Sequence, residues 1–323
     1  MPTNPKPIDL LCMGEPMLEF NQLPPDPDGR VLYLEGHGGD TSNAAIAAAR
    51  QGARVGYITA IGKDAPGDSL MALWAREAVD TATVTRTDRA LTGVYFVTHD
   101  ERGHHFLYYR EDSPAALYAP ADLPREAIAA AKIFFASGIS QGISPSAADA
   151  VFAAIDLTRG AGGKVAYDTN YRPRLWPPMR AAAVIHAAIA QADYVFPGME
   201  DVEVLTGLTD PDAILDFYLR LGPPVVLLKM GENGAYLGTP DRRVRIPAHK
   251  VVVVDATGAG DALCGAFLAR VLAGDAPDAA ARYAMVAAAL KCSGYGAVAP
   301  IPSAAQVHAA LYAAQHPMET PAQ

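Results

Sequence analysis

Short apolar runs alternate with longer segments of helical spacing along almost the whole chain. The apolar runs are rich in β-branched and aromatic residues and predict strands at residues 8–13, 55–61, 133–137, 164–168, 194–196, 225–229 and 251–254. The segments between them predict helices at residues 40–51, 67–79, 145–159, 177–191, 259–273, 277–292 and 303–314. Such alternation is typical of βαβ crossovers, so we expect an α/β protein with a mostly parallel central sheet. Ligands of such sheets bind beyond the carboxyl ends of the strands.

Two regions break the alternation. Residues 15–36 are proline-rich with scattered apolar positions, and residues 91–110 hold two apolar runs around a polar turn at 100–103. The second region is typical of a β-hairpin without a helix. We expect both regions to supply strands of a small β lid beside the main sheet, the alternative being an ordinary edge hairpin. With no repeat and no low-complexity linker, residues 1–323 are expected to form one domain.

Composition narrows the class of protein. The chain has 323 residues, of which 50% are hydrophobic, and a formal net charge of −9, so a nucleic-acid-binding surface is not expected. Cys12, Cys264 and Cys292 lie far apart in apolar segments, which favours reduced core residues of a cytoplasmic protein over disulfides or a metal site. No apolar run approaches the ~18 residues of a membrane span, and residues 1–7 lack the apolar core of a signal peptide.

The most informative motif is Asp-Ala-Thr-Gly-Ala-Gly-Asp at residues 255–261, between the predicted strand 251–254 and the predicted helix 259–273. Glycines at a helix start let backbone N–H groups converge on an anion, which the helix dipole also favours. Asp261 would lie beside that anion, where a carboxylate suits the role of base for an attacking hydroxyl. The alternative is a tight left-handed turn capped by aspartate. The chain contains neither a Walker A loop nor a dinucleotide-binding G-x-G-x-x-G after a strand.

Polar groups elsewhere extend this picture. A paired-glycine segment at residues 38–43 opens the first long helix, where Asp40 or Ser42 is expected to cap the helix and Asn43 is suited to bind sugar hydroxyls. Arg110 and Arg172 follow predicted strands, and a guanidinium suits a carboxylate or phosphate. A surface salt bridge is the alternative for each arginine.

A rival class is indicated by Gly-Ile-Ser-Gln-Gly at residues 138–142, which matches the G-x-S-x-G of serine hydrolases and would make Ser140 a nucleophile. Such a serine needs a helix that begins immediately after it. Ser144 and Pro145 instead predict a helix start at 145, several residues too late, and no HGGG-type oxyanion motif is present.

Together these segments resemble the ribokinase-like carbohydrate kinases. Residues 38–43, 52–55 and 61–67 are similar to the N-terminal signature of that family, and residues 255–261 to its C-terminal signature. The resemblance covers nearly the whole chain and implies a three-layer α/β/α fold with a small β lid. Within the family, several segments are most similar to the kinases of 2-keto-3-deoxygluconate, namely residues 14–17, 38–41, 108–110, 137–140, 162–165 and 170–176.

The resemblance implies ATP-dependent phosphorylation of a sugar-acid hydroxyl, 2-keto-3-deoxygluconate to its 6-phosphate, with Mg²⁺ neutralising the phosphates. The alternative within the family is a kinase for a neutral sugar (fructose or ribose) or a nucleoside. Asp261 would be the base, and the anion hole would be formed by Gly258, Ala259 and Gly260. The residues implied for the sugar acid are Gly38, Gly39, Asn43, Tyr95, Tyr108, Arg110 and Arg172. Those implied for the nucleotide are Asn170, Lys229, Gly231, Gly258 and Gly260.

Some positions depart from the family pattern. The N-x-x-E element that organises magnesium in the family corresponds here to Gly198 and Asp201, which leaves Asp201 as the candidate metal residue, with Glu200 or Glu203 as substitutes. By the same resemblance, a monovalent cation such as K⁺ would lie near Asp255. Lid strands with apolar faces often pair between subunits, so a homodimer through the lid is also expected. An unperturbed aspartate has a pKa of about 3.9, so Asp261 is expected to be ionised at neutral pH.

Overall fold

The computed structural model describes residues 8–100 and 103–316, which contain two β-sheets. The strands of this part of the chain are β1 (Leu10–Met13), β2 (Met17–Leu23), β3 (Leu32–Gly38), β4 (Val55–Gly62), β5 (Val84–Thr87), β6 (Val94–Asp100), β7 (Gly103–Tyr109), β8 (Ile133–Ser137), β9 (Lys164–Asp168), β10 (Tyr194–Phe196), β11 (Val225–Lys229), β12 (Ala235–Thr239) and β13 (Arg242–Ile246).

The helices of the same part of the chain are α1 (Asp40–Arg50), α2 (Ala65–Arg76), α3 (Arg125–Ala130), α4 (Gly138–Gly142), α5 (Pro145–Gly160), α6 (Pro178–Ile189), α7 (Met199–Thr206), α8 (Pro211–Leu221), α9 (Ala259–Leu272), α10 (Pro277–Lys291) and α11 (Ala304–Gln315). No helix within these described residues is long and apolar enough to cross a membrane.

The main sheet has nine strands in the order β13-β12-β11-β10-β9-β8-β1-β4-β5. Its strands from β11 to β5 pair in parallel, whereas β12 and β13 form an antiparallel edge. The parallel register aligns Ser137 with Asp168 and Asp168 with Phe196, at the ends of β8, β9 and β10. The carboxyl ends of these strands therefore share one edge of the sheet, which is where polar side chains collect.

Helices cover both faces of this sheet, as predicted. Leu10 and Cys12 on β1 belong to one apolar cluster, with α1, α9 and α10, whereas Leu11 and Met13 belong to another, with α5, α6 and α8. Successive residues of a strand point to opposite faces of the sheet. A strand with helices on both faces therefore needs apolar residues at every position. The three-layer α/β/α arrangement expected from the sequence is confirmed.

The second sheet has the order β3-β2-β6-β7 and comes from the two irregular regions of the sequence. Strand β2 pairs antiparallel with β3 and parallel with β6, and β6 pairs antiparallel with β7. The expected small β lid is therefore present, although residues 101 and 102 of its predicted turn lie outside the described residues. We call this four-stranded sheet the lid sheet.

Helices α1 and α9 approach closely because Gly265 on α9 has no side chain. A Cβ at Gly265 would collide with the main-chain carbonyl of Ala44 on α1. The same Cβ would also meet Ala47 and the backbone of Ala48, so small residues line this part of the contact. The close packing brings Asn43 at the start of α1 next to Asp261 at the start of α9.

The predicted strand at 251–254 is wrong. These residues form an extended loop, in which Val252 and Val253 are 84% and 65% exposed. No described strand pairs with this β-branched run, and the N–H of Val254 donates instead to the carbonyl of Cys292, after the end of α10. The antiparallel pair β12–β13 and the helices α7 and α8 were not predicted, whereas the other six predicted strands and all seven predicted helices are confirmed within a few residues.

Candidate active site

Three strand and helix ends place a lysine among buried carboxylates. Asp168 ends β9, Lys229 ends β11, and Asp261 lies in the first turn of α9. Lys229 Nζ donates to Asp168 Oδ1 at 2.7 Å and to Oδ2 at 2.6 Å, and the Asp168 side chain is 2% exposed. Burial alone would lower the pKa of Lys229, but the Asp168 carboxylate outweighs it and raises that pKa above its usual value. Lys229 is therefore a fixed cation beside the glycine-rich helix start.

Asp261 sits next to this cation. Asn43 Nδ2 donates to Asp261 Oδ2 at 2.8 Å. Burial and the nearby Asp40 raise the pKa of Asp261 to about 7, although the hydrogen bond from Asn43 acts in the opposite direction. The sequence-based expectation of an ordinary aspartate pKa is therefore wrong, because spacing along the chain does not show that acids from three elements meet here.

Asp40 is the nearest of those acids. Its Oδ2 accepts a hydrogen bond from Asn170 Nδ2 at 2.7 Å, and its buried Oδ1 has no partner among the described residues. Neither expected cap of α1 is observed, since Gly39 occupies the cap position with a φ of 114° and the Ser42 hydroxyl accepts from Trp74 Nε1 at 2.9 Å. Asp40 is thereby free to face the site.

Asn170, expected on the nucleotide side, lies between two of these acids. Besides its contact with Asp40, its backbone N–H donates to Asp168 Oδ1 at 3.2 Å. Its φ of 29° lies in the left-handed region, which is uncommon for a residue other than glycine. Backbone strain of this kind concentrates at functional sites.

The expected anion hole lies at the start of α9. Gly258 precedes the helix with a φ of 78°, and a Cβ at Gly260 would lie 3.4 Å from Lys229 Nζ. The N–H of Ala259 donates to the carbonyl of Ala256 at 3.1 Å, whereas the N–H groups of Gly258 and Gly260 have no backbone acceptor within the described chain. The helix start therefore has two N–H groups without a backbone acceptor, and Gly260 lies next to the ammonium group of Lys229. The anion hole itself stays a prediction.

The nucleotide-side loop after β11 adjoins this space. Gly231 follows Lys229 by two residues, has a φ of 56° and opens a short 3₁₀ turn. The backbone of Lys229 forms a parallel bridge with Gly198, which precedes α7. The loop that holds Gly231 and the loop that holds Asp201 are thus neighbours at the sheet edge.

Asp201 lies in the first turn of α7, where its Oδ2 accepts from Thr169 Oγ1 at 2.7 Å. Among residues 8–100 and 103–316 there is no group of three or more His, Cys, Asp or Glu that could hold a metal ion. Mg²⁺ usually keeps several waters and binds through one or two carboxylates plus substrate phosphates. A single carboxylate at Asp201 therefore fits an ion that arrives with a nucleotide, whereas Glu200 and Glu203 are exposed.

The lid sheet turns aromatic side chains toward the site. Tyr95 on β6 is 5% exposed, donates a hydrogen bond to Glu19 on β2, and lies with its ring centroid 5.5 Å from that of Tyr108 on β7. A Cβ at Gly38 would collide with the Tyr95 hydroxyl, which explains why glycine is needed there. The lid residues implied for the sugar acid are thus brought together at the start of α1.

The two expected arginines differ in their partners. Arg110 forms an ion pair with Glu15, which is 1% exposed and accepts from Ser113 Oγ at 2.5 Å. Arg172 is exposed, and its one hydrogen bond is from Nη1 to the carbonyl of Tyr171 at 2.9 Å. Within the described residues, Arg172 therefore has no carboxylate partner.

Tyr108 shows that these arginines share one neighbourhood. Burial raises the pKa of Tyr108, and the positive charges of Arg110, Arg172 and Arg174 offset part of that rise. Arg174 also donates to the carbonyl of Phe106 on β7 at 2.8 Å. The segment that follows β9 is thereby attached to the lid sheet.

Ser140 does not have the surroundings of a hydrolase nucleophile. Its hydroxyl donates to the carbonyl of Met13 at 2.8 Å, it is 2% exposed, and it forms a capping box with Ser137. The expectation that the next helix begins only at Pro145 is wrong, because α4 already contains Ser140. The burial of Ser140 and its bond to β1 indicate that it holds two strand ends together.

Several residues of the site were not selected from the sequence. No spacing along the chain marks Asp40, Asp168, Glu15 or Glu19, because each binds a partner at least 61 residues away. The position of Asp168 at the end of a buried strand is the one signal that would have marked it.

The site thus combines a helix start with free N–H groups, the partly buried carboxylate of Asp261 beside it and the neighbouring lid sheet. The sequence model described as "pfkB family carbohydrate kinase" matches residues 10–304. The chain therefore belongs to the pfkB family of carbohydrate kinases.

Similar proteins carry more specific names. A 2-dehydro-3-deoxygluconokinase of Thermoproteus tenax is 34% identical over 294 residues, which cover 88% of this chain and 88% of that protein. A fructokinase-1 of Oryza sativa is 31% identical over 287 residues, which cover 85% and 88%. A ribokinase II structure from E. coli, solved in complex with ATP and Mg²⁺, superposes with a TM-score of 0.87 over 94% of this chain and 99% of that one, at 22% identity. The last likeness shows the fold alone.

Proposed function

We propose that this kinase transfers the γ-phosphoryl group of ATP to the 6-hydroxyl of 2-keto-3-deoxygluconate, the compound also called 2-dehydro-3-deoxygluconate. The observation that carries the proposal is the position of Asp261, partly buried beside Asn43 and Lys229 at the free N–H groups of α9. Phosphoryl transfer needs a placed hydroxyl, a base and a site for negative charge, and these residues supply the last two.

In this proposal Asp261 accepts the proton of the attacking hydroxyl at its carboxylate. Asn43 donates to one carboxylate oxygen, Oδ2, which leaves the other oxygen for the substrate. Lys229 and the N–H groups of Gly258 and Gly260 stabilise the charge of the transferring group. Mg²⁺, when bound with ATP, would offset phosphate charge, with Asp201 as its protein-side carboxylate.

The electrostatics of the site support a requirement for a bound cation. Asp40, Asp168 and Asp261 are set against Lys229 as the nearest charged amine. Mg²⁺ bound close to Asp261 would favour its ionised form, since a nearby positive charge lowers the pKa of a carboxyl group.

The preference for a sugar acid rests on Arg172. Its exposed guanidinium lies near Tyr108, and no carboxylate partner is present within the described residues. The Thermoproteus relative supports the same substrate class by its name. Glu15 already neutralises the charge of Arg110, so we assign Arg110 the role of positioning Tyr108. The guanidinium carbon of Arg110 lies 5.6 Å from the ring centroid of Tyr108.

A neutral sugar is the second candidate. The Oryza relative is named a fructokinase, and the Arg110–Glu15 pair leaves the lid side of the site with less positive charge than two free arginines would. The two candidates share the fold and Asp261, and they differ in what Arg172 recognises.

The test is an ADP-release assay with ATP and Mg²⁺ on 2-keto-3-deoxygluconate, its galactonate epimer, fructose, ribose and adenosine. A kcat/KM at least about tenfold higher for a keto acid than for any neutral substrate supports the proposal, since charge-assisted hydrogen bonds contribute that much. A preference for fructose, ribose or adenosine refutes the sugar-acid assignment. No ADP release with any substrate refutes the proposed reaction.

We also propose that two copies pair through the outer face of the lid sheet. Alternate residues of its strands point away from Tyr95 and Tyr108, and on that face Phe96 lies 5.1 Å from Phe20, 5.5 Å from Tyr33 and 6.0 Å from Tyr109 between ring centroids. Tyr109 and Leu107 are 59% and 54% exposed. An exposed apolar face on the lid sheet favours contact with a protein partner.

Light scattering after gel filtration tests this pairing. We expect a dimer for the unchanged chain and a monomer for Leu107→Glu. Met179→Glu, at a residue 86% exposed on α6, is the matched control and should remain a dimer. A monomeric parent or a dimeric Leu107→Glu variant refutes the pairing.

The cytoplasmic location expected from the sequence stays a proposal, consistent with an enzyme that consumes ATP.

A further inference from the structure

Lys291, the last residue of α10, is a lysine with 0% of its surface exposed. Its Nζ donates to the main-chain carbonyl oxygen of Asp255 at 2.8 Å. Moving an ammonium group out of water is costly unless oppositely charged or polar groups compensate it. A lysine buried here therefore calls for a reason beyond packing, since an apolar side chain would fill the same space at lower cost.

The carbonyl that Lys291 holds belongs to the loop that leads into the active site. Within this loop, the Asp255 carboxylate accepts from Thr257 N–H at 2.9 Å and from Gly296 N–H at 2.8 Å. The N–H groups of Val254 and Asp255 both donate to the carbonyl of Cys292. Lys291 thus lies where the end of α10 is attached to residues 254–258, and Gly258 begins the N–H array of α9.

The charges around Lys291 come from three parts of the fold. Burial lowers the pKa of Lys291 below its usual value, and the nearby Asp255, Cys292, Asp261 and Glu19 offset part of that shift. Glu19 belongs to the lid sheet, Asp255 to the loop and Asp261 to α9. A single buried cation therefore faces acids from the lid, the loop and the proposed base.

A free monovalent cation near Asp255, expected from the family resemblance, does not fit these residues. Such an ion needs several oxygen ligands, and the Asp255 main-chain oxygen is already bound by an ammonium group of the same charge. The two carboxylate oxygens of Asp255 accept backbone N–H groups. A second cation beside Lys291 would add like-charge repulsion in a poorly solvated place.

We propose that the ammonium group of Lys291 takes the place of a free monovalent cation as the counter-charge of residues 254–260, so that phosphoryl transfer by this protein needs no K⁺. Lys291 is then a positioning residue, which acts through the backbone of Asp255 on the N–H groups at Gly258 and Gly260. This inference rests on the proposed phosphoryl transfer.

The first test uses the unchanged protein, so it does not depend on any variant folding. The rate of ADP release is measured in the chloride salts of K⁺, Na⁺ and tetramethylammonium at equal ionic strength, with the coupling enzymes checked separately in each salt. We expect kcat and KM to agree within about twofold among the three salts. The counter-charge is then part of the protein, so a change of salt removes no charge-assisted contact from the site. Activation by K⁺ of about tenfold or more overturns the inference.

The second test makes the protein dependent on a cation. Lys291→Met keeps the unbranched side chain as far as the ε position and removes the ammonium group. In tetramethylammonium chloride we expect kcat to fall by about tenfold or more, as for the loss of a hydrogen bond to a charged group. K⁺ or NH₄⁺ should restore part of that loss, which a purely structural defect would not allow. Lys63→Met, at an exposed lysine paired with Asp88, should stay insensitive to the salt.

A readout without catalysis separates this inference from the proposed function. The thermal midpoint of the unchanged protein should be equal in K⁺ and tetramethylammonium salts, whereas that of Lys291→Met should be higher in K⁺. A variant that is fully active in tetramethylammonium, or one that K⁺ neither stabilises nor activates, refutes the role of Lys291. If the unchanged protein releases no ADP with any substrate, the proposed function fails, and the thermal midpoints still decide whether Lys291 replaces the ion.

Discussion

The raised pKa of Asp261 predicts how the reaction depends on pH. Burial and Asp40 raise that pKa to about 7 in the free protein. The base must be ionised to accept a proton, and kcat/KM reports groups of the free enzyme. A group with a pKa of about 7 is about one-tenth ionised at pH 6 and about nine-tenths at pH 8, so kcat/KM should rise about tenfold over this range. An ordinary aspartate would give a flat profile there.

Two variants should move this profile in opposite directions. Asp40→Asn removes a negative charge that disfavours the ionised base, so the inflection should move to lower pH. Asn43→Ala removes the hydrogen bond to Asp261 Oδ2, which favours the ionised base, so the inflection should move to higher pH. A hydrogen bond to a charged group is worth about 1.5–3 kcal/mol, which corresponds to about one to two pKa units for Asn43→Ala.

The assay is steady-state ADP release at low concentrations of both the sugar and ATP–Mg²⁺, from about pH 5.5 to 9, so that the rate reports the free enzyme. The coupling enzymes are tested for excess at each pH. Asp156→Asn, at an exposed aspartate on α5, is the control for loss of a negative charge and should leave the profile unchanged. A flat profile for the parent, or a shift of both variants in the same direction, would refute the assignment of Asp261 as the titrating base.

Three further substitutions test other parts of the site. Asp261→Asn should lower kcat by about 10²–10⁴, the usual contribution of a general base, with little change in KM; steady-state kinetics that show normal turnover would sink the assignment. The same variant should raise the thermal midpoint, because the charged form of Asp261 is disfavoured in the folded protein. Arg172→Met should raise KM for the sugar acid by about tenfold or more and leave KM for fructose unchanged, whereas equal effects on both substrates would argue for a neutral sugar. Lys229→Met should lower the free energy of unfolding in urea by about 3–5 kcal/mol, since it leaves the buried Asp168 without its partner. Lys63→Met, in an exposed pair, should change it by less than about 1 kcal/mol, and similar losses in both would contradict this reasoning.

The sequence by itself predicted the layers of this protein. Six strands and seven helices were predicted at nearly their observed positions, because strands covered on both faces are continuous apolar runs and the helices between them have a helical period. The glycines of residues 255–261 marked the helix start for a reason that is also local, since Gly258 takes a φ of 78°. Local geometry and periodicity depend only on residues that are close together in the sequence.

The failures of prediction are equally physical. The β-branched run at 251–254 has the composition of a strand, but it pairs with no described strand and its Val254 N–H bonds to the carbonyl of Cys292. Asp40 stands where a helix cap is expected, yet its carboxylate bonds to Asn170, which is 130 residues away. In both cases, contacts that exist only in the folded chain override the local propensity.

Tertiary structure alone decided the electrostatics of the site. Asp40, Asp168 and Asp261 come from three separate segments, and their approach in a buried place moves the pKa of Asp261 to about 7. The partner of Arg110 was likewise set by the fold, which brings Glu15 beside it and leaves Arg172 without an acid among the described residues. Charge interactions depend on distance and on the surrounding dielectric, and neither quantity can be read from the order of residues along the chain.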